Sequence, residues 1–202
     1  MSSPLGYLIN NTIMSVTIQS ETNYVFYEDS GADISKDFVF QIGPIVDDGN
    51  WYSYNGSYGG IYRGYDIGID SDNETLQFSI KNIGTTKLDV VIASSDFDNG
   101  IFSDTNFIDV NRTDGNFQIY IPGDGWRNVP DNVDVDDDRS KDVGELCIVD
   151  DLVVGGIVDG FDVRIRSPVG TDLGNYTANI IVSVVDSEMF NPCSGVGEYV
   201  DI

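Results

Sequence analysis

Carboxylates are the most plentiful charged groups in this chain, and many of them cluster in loops. The stretch DVDDDRSKD sets Asp134, Asp136, Asp138 and Asp142 at close spacing, with Asp131 and Asp137 nearby. DSDNE offers Asp70, Asp72 and Glu74, DFDNG offers Asp96 and Asp98, and VDDG offers Asp47 and Asp48. Calcium takes about six to eight hard oxygen ligands, and clustered carboxylates in a Gly/Asn-rich loop supply them with little backbone rearrangement. No loop is an EF-hand, because the required glycine and the closing glutamate fall out of register and the flanks read as strands. Clustered like charges repel unless water screens them or a cation joins them. Each cluster is therefore either a solvated acidic surface or a ligand set, and calcium is the cofactor these loops lead us to expect.

The charge balance narrows the possible partners. Asp+Glu 34 against Lys+Arg 10 gives a formal net charge of -24. Nucleic acids and anionic lipids bind proteins through Lys and Arg, so neither is an expected partner. Copies this negative also repel one another unless cations condense between them. The chain has His 0, which removes the usual general base near neutral pH and the common zinc ligand. No phosphate-binding loop is present, and GGIVDG after a strand leads into no helix pattern. Aspartates are so abundant that a glycosidase-like pair is expected by chance. No catalytic residue is nominated and no enzymatic activity is expected. The run WYSYNGSYGGIYRGY places Trp51, Tyr52, Tyr54, Tyr58, Tyr62 and Tyr65 together. These rings either stack on sugars, as in a carbohydrate-binding or adhesive module, or pack in a loop or subunit interface.

The elements that must position these groups are strands. Apolar and polar residues alternate along the chain, and no amphipathic helix period stands out. Expected strands are Ile13 to Ile18, Tyr24 to Tyr27, Phe38 to Val46, Ile61 to Ile69, Leu76 to Lys81, Leu88 to Ala93, Phe117 to Ile121, Leu146 to Val154, Phe161 to Ile165 and Tyr176 to Val185. Leu76, Phe78 and Ile80 should face a core while Gln77, Ser79 and Lys81 face water, with NIGTTK turning into LDVVIAS. Tyr176, Ala178, Ile180, Val182 and Val184 should share one face of a long late strand. Loops rich in Gly, Asn and Asp separate the strands, the longest beginning at PGDGW. The expected fold is all-β, a jelly-roll-like antiparallel β-sandwich over 19–202, with an extended N-terminal arm over 1–18.

That arm alternates at Leu5, Tyr7 and Ile9, breaks at Asn10 and Asn11, and resumes near Ile13. It is either a first strand of its own sheet or a donor, residues 4–18, that completes the sheet of a second copy. Cys147 and Cys193 form neither a redox pair nor a zinc pattern; they are either one long-loop disulfide or two buried thiols. The sequons at Asn10, Asn55, Asn73, Asn111 and Asn175 favour an exported, glycosylated chain. MSSPLGYLIN lacks the basic and apolar regions of a secretory leader, so the expectation is an extracellular protein whose leader is already removed. No apolar run is long enough for a membrane helix.

The alternating arm PLGYLINNTIMSVTI, the strands in LQFSIKNIGTTKLDVVIAS, the late strand LGNYTANIIVSVVD and the Asp-rich loops together resemble the cannula subunits of hyperthermophilic archaea, which build extracellular tubules. The chain is more distantly similar to donor-strand filament proteins of the bacterial biofilm-matrix and archaeal bundling-pilus kind. The resemblance implies a secreted structural subunit forming a homopolymer, in which one terminal strand completes the next subunit's sheet and calcium bridges acidic loops at the contacts. The Cys147 and Cys193 pair and the 122–142 loop fall outside that pattern.

Overall fold

The computed structural model describes residues 8–9, 12–18, 24–28, 39–42, 45–46, 49–53, 78–99, 107–131 and 144–200, and these residues form strands and turns without a helix. The strands are β1 (Leu8–Ile9), β2 (Thr12–Ile18), β3 (Tyr24–Glu28), β4 (Val39–Ile42), β5 (Ile45–Val46), β6 (Trp51–Ser53), β7 (Phe78–Asn82) and β8 (Leu88–Ser94). They continue with β9 (Phe97–Asp98), β10 (Phe107–Ile108), β11 (Phe117–Ile121), β12 (Gly125–Asn128), β13 (Glu145–Leu152), β14 (Ile157–Arg166), β15 (Tyr176–Asp186) and β16 (Tyr199–Val200). The expected strand Ile61 to Ile69 lies outside the described residues.

One sheet runs β4, β2, β15, β8, β13, β16, with β9 also paired to β15 and β10 paired to β9. A second sheet runs β12, β11, β14, β7, β3, with β6 also paired to β14, and β1 pairs with β5 in a separate two-stranded ribbon. Period-two patterning explains why the sheets face each other. In β15 the side chains of Tyr176, Ala178, Ile180, Val182 and Val184 are all buried, as their alternation predicts. Phe117, Ile119 and Ile121 of β11 and Phe161, Val163 and Ile165 of β14 do the same from the opposite layer. These residues join Val90, Ile92, Leu146 and Ile148 in one continuous apolar cluster. Phe97 meets Phe117 edge to face across the layers, with ring centroids 5.5 Å apart. The all-β antiparallel sandwich is therefore the observed architecture.

Three features differ from the local reading. NIGTTK leads from β7 into β8, but the two strands do not pair with each other, because they belong to opposite sheets. Asn82 makes the crossing possible, because its side-chain amide donates to Thr86 O and Leu152 O, both at 2.8 Å, and its Oδ1 accepts the Gly84 amide at 2.8 Å. Ser79, expected in water, is buried. The supposed loop from PGDGW onward contains β12, which folds back on β11.

Position β2 is unlike the rest. It pairs in parallel with β15 over seven residues, from Thr12 opposite Tyr176 to Ile18 opposite Val182. Its other edge pairs antiparallel with β4. The N-terminal strand thus sits within the chain's own sheet in this structure, while Leu5 and Tyr7 of the expected arm lie outside the described residues and Ile9 falls in β1.

All seven residues of β8 are buried, which requires cover on both faces. The sandwich core covers Leu88, Val90 and Ile92. On the other face Val91 packs with Cys147, Cys193 and Val200. Cys147 and Cys193 are joined as a disulfide, with Cα atoms 5.8 Å apart. The bond fastens the chain's late segment over β8 and β13, and the amide of Cys147 donates to Glu198 O at 2.9 Å beside it.

Candidate functional site

The strand pair β8 and β13 carries two irregularities in register, between Cys147 and Val149 and between Val149 and Leu152. Such bulges insert residues and re-aim side chains. Here they bring the consecutive residues Asp150 and Asp151 beside Asp89 of β8. One carboxylate oxygen from each of the three lies within 4.8 Å of the others. Asp151 adopts φ 55°, a left-handed conformation uncommon outside glycine.

Each member has a different setting. Asp89 is 0% exposed. Its Oδ1 accepts the Asp151 amide at 2.8 Å, and its Oδ2 makes no hydrogen bond. Burial pushes the Asp89 carboxyl above its ordinary range, and the backbone amides of Asp151 and Cys193 pull the other way. Asp150 is half-buried and Asp151 exposed. Asp151 Oδ1 accepts the Ser187 hydroxyl at 2.8 Å, and its Oδ2 lies 3.0 Å from Lys87 Nζ. Those two contacts, the hydroxyl first, hold the Asp151 carboxyl below the usual range. Lys87 is raised in turn by its bond to Asp151. The arrangement is a small oxygen-rich basin, with one buried carboxylate at its floor and a lysine at its rim.

None of the aspartates nominated from sequence belongs to this basin. Asp47, Asp48, Asp70, Asp72, Glu74, Asp134, Asp136, Asp138 and Asp142 lie outside the described residues. Asp96 is buried and uses Oδ1 to accept the Val110 amide, which ties the segment after β10 to the break between β8 and β9. Asp98 is half-buried in β9, with its backbone in register with Thr177 and Phe107. Among the described residues, the three-carboxylate group close enough to share an ion is Asp89, Asp150 and Asp151. The basin is inconspicuous in the sequence because Asp89 sits inside LDVVIAS and Asp150 and Asp151 inside LCIVDDLVV. The available signal was an aspartate at a strand position flanked on both sides by apolar residues.

A second constellation covers the outer face of the other sheet. Arg164 of β14 lies over the Trp126 ring at 4.1 Å and over the Trp51 ring at 4.6 Å, and Arg166 lies 4.8 Å from Trp51. Tyr120 packs against Trp126 with centroids 5.5 Å apart. Arg164 Nε donates to Gln118 Oε1 at 2.8 Å, Gln118 Nε2 donates to Asn128 Oδ1 at 2.7 Å, and Arg166 Nε donates to Asn116 Oδ1 at 2.8 Å. The alternation that turns Trp51 outward turns Tyr52 into the core, where it is 5% exposed. Tyr52 is therefore a core residue and not part of a sugar-stacking face. Tyr54, Tyr58, Tyr62 and Tyr65 lie outside the described residues.

Of the sequons, Asn10, Asn55 and Asn73 lie outside the described residues. Asn111 has its side chain engaged, with Oδ1 accepting the amides of Thr113 at 3.0 Å and Asp114 at 2.8 Å. Asn175 is exposed immediately before β15. No helix among the described residues is long and apolar enough to cross a membrane. No protein-family model matches the chain, and a search of curated proteins returns no relative.

Proposed function

We propose that the chain is a structural subunit of an extracellular assembly, in which the N-terminal strand of one copy fills the β2 position of another. The pairing of β2 with β15 carries the reading. These strands come from opposite ends of the sequence, run parallel, and stay in register from Thr12 and Tyr176 to Ile18 and Val182. A parallel neighbour cannot be fixed by a tight hairpin. The same hydrogen bonds and the same β4 contact form whether β2 comes from its own chain or from a second copy. Exchange of an identical element is a low-cost route to assembly, and a donated strand satisfies an otherwise open sheet edge. The disulfide supports an oxidising, extracellular setting. A net charge of -24 makes the contacts between copies depend on cations, and calcium bound at the acidic loops is the proposed bridge.

Negative-stain electron microscopy of the purified chain, with calcium and with excess chelator, tests this directly. Filaments or tubes are expected with calcium and dispersed particles without it. A chain lacking residues 1–18 should not polymerise, and a synthetic peptide of those residues should bind to it. Normal filaments from the truncated chain would end the strand-exchange reading, and equal polymerisation in chelator would end its calcium component.

The outer face formed by Trp51, Arg164 and Trp126 favours a second reading, an adhesive module for glycans. Partly exposed indole rings beside guanidinium groups combine an aromatic surface with hydrogen-bond donors, which suits contact with sugar rings. A glycan array comparing the wild type with Trp51→Ala separates the two, since ring stacking would be lost while assembly would not.

A further inference from the structure

We propose that Asp89, Asp150 and Asp151 form a divalent-cation site within the subunit, suited to calcium, which fastens the β13 bulge to β8. This site lies inside one chain and stands independently of strand exchange. Its floor carries the argument. Asp89 is 0% exposed, and its Oδ2 makes no hydrogen bond. A carboxylate oxygen taken out of water needs a partner, and a buried charge is ordinarily paired or bound to a metal. The backbone amide of Cys193 also acts on this carboxyl, and the carboxylates of Asp150 and Asp151 lie close enough to repel its charged form unless a cation or a proton sits between them. Three oxygens within 4.8 Å of one another match ligands gathered about one ion at roughly 2.3–2.6 Å. The donors are all carboxylate oxygens, which select hard cations over zinc or copper.

The rim fits the same reading. Lys87 Nζ sits 3.0 Å from Asp151 Oδ2, a monovalent charge offsetting part of the cluster from the solvent side. Ser187 holds the other Asp151 oxygen, so a bound ion would be linked through Asp151 to the segment that follows β15. The Ser187 amide donates to Lys87 O at 3.1 Å, which keeps that segment against the start of β8.

The test uses the full-length chain, stripped with chelator and labelled with nitrogen-15, and follows amide signals as substoichiometric manganese is added. Manganese accepts the same oxygen donors and broadens signals near its site. The amides of Asp89, Asp150 and Asp151 should broaden first and recover with excess calcium. This readout is residue-specific, so cation binding at acidic loops elsewhere does not imitate it. In Asp89→Asn the broadening at these amides should be lost. Asp150→Asn, at a half-buried position, is the companion variant with the same expectation and less demand on the fold. Removing the competing charge by Lys87→Met should tighten calcium binding at these amides by about two- to fivefold. Unbroadened signals in the wild type, or broadening unchanged in both asparagine variants, would overturn the site.

Discussion

Removing the disulfide by Cys147→Ala with Cys193→Ala should be among the most damaging conservative changes available. The bond closes a loop of sequence separation 46. In the chain-entropy treatment, a loop of that length removes about 13.5 cal/mol/K from the unfolded ensemble, which is about 4 kcal/mol at 25 °C. For a chain of this size each kcal/mol shifts the melting temperature by roughly 2–4 °C, so a fall of roughly 8–16 °C is expected. The loss should be larger near the bond than elsewhere, because the Cys147 amide and carbonyl pair with Glu198 and Gly197. Val91 would lose its cover as that segment loosens. Urea unfolding followed by tryptophan fluorescence, with and without reductant, measures the effect. Reductant should destabilise the wild type to near the level of the variant and leave the variant unchanged. A loss below about 1 kcal/mol, or an equal response of both proteins to reductant, would refute the reasoning that the bond restrains the unfolded chain.

Asn82→Ala removes both bonds that the side-chain amide donates and leaves the Gly84 amide without its acceptor. Chemical denaturation should show a loss of about 3 kcal/mol, since unsatisfied buried groups cost about 1–3 kcal/mol each. Glu145 is held above the ordinary carboxylate range by burial. The native state therefore keeps its proton to higher pH than the unfolded chain does, and this group's contribution falls as pH rises from the ordinary range through the raised value. Glu145→Gln should flatten that part of the stability profile and raise the melting temperature above it, without effect at lower pH. Trp51→Ala uncovers Arg164 and Arg166, and the stacking lost should cost about 1–2 kcal/mol by denaturant titration.

The sandwich was legible wherever one face of a strand is buried and the other is not. Tyr176 to Val184 and Phe117 to Ile121 show that condition, and their alternation placed the same residues in the core that the structure does. β12 was hidden because four residues after a glycine turn offer too short a pattern, and its Trp126 and Asn128 both sit on the outer face. NIGTTK was legible as a turn between β7 and β8, but a turn sequence fixes a local reversal and not which sheet the chain enters next. That choice depends on Leu152, which Asn82 reaches across 70 positions of sequence. The acidic basin was illegible for the same reason. Asp89 and Asp151 are 62 positions apart, and only the β13 bulge brings them together. Loop aspartates attract notice because they cluster in sequence, whereas this basin clusters in space.

The central claim, that β2 is exchangeable between copies, is tested most directly by a cross-link across its register. Ser15 and Asn179 are paired positions of β2 and β15, so Ser15→Cys with Asn179→Cys puts two thiols on neighbouring strands. Under assembling conditions followed by oxidation, non-reducing electrophoresis should show a ladder of covalent multimers that collapses on reduction. A single monomeric band, from chains that have demonstrably assembled and fully oxidised the new pair, would place β2 permanently in its own sheet and contradict the account.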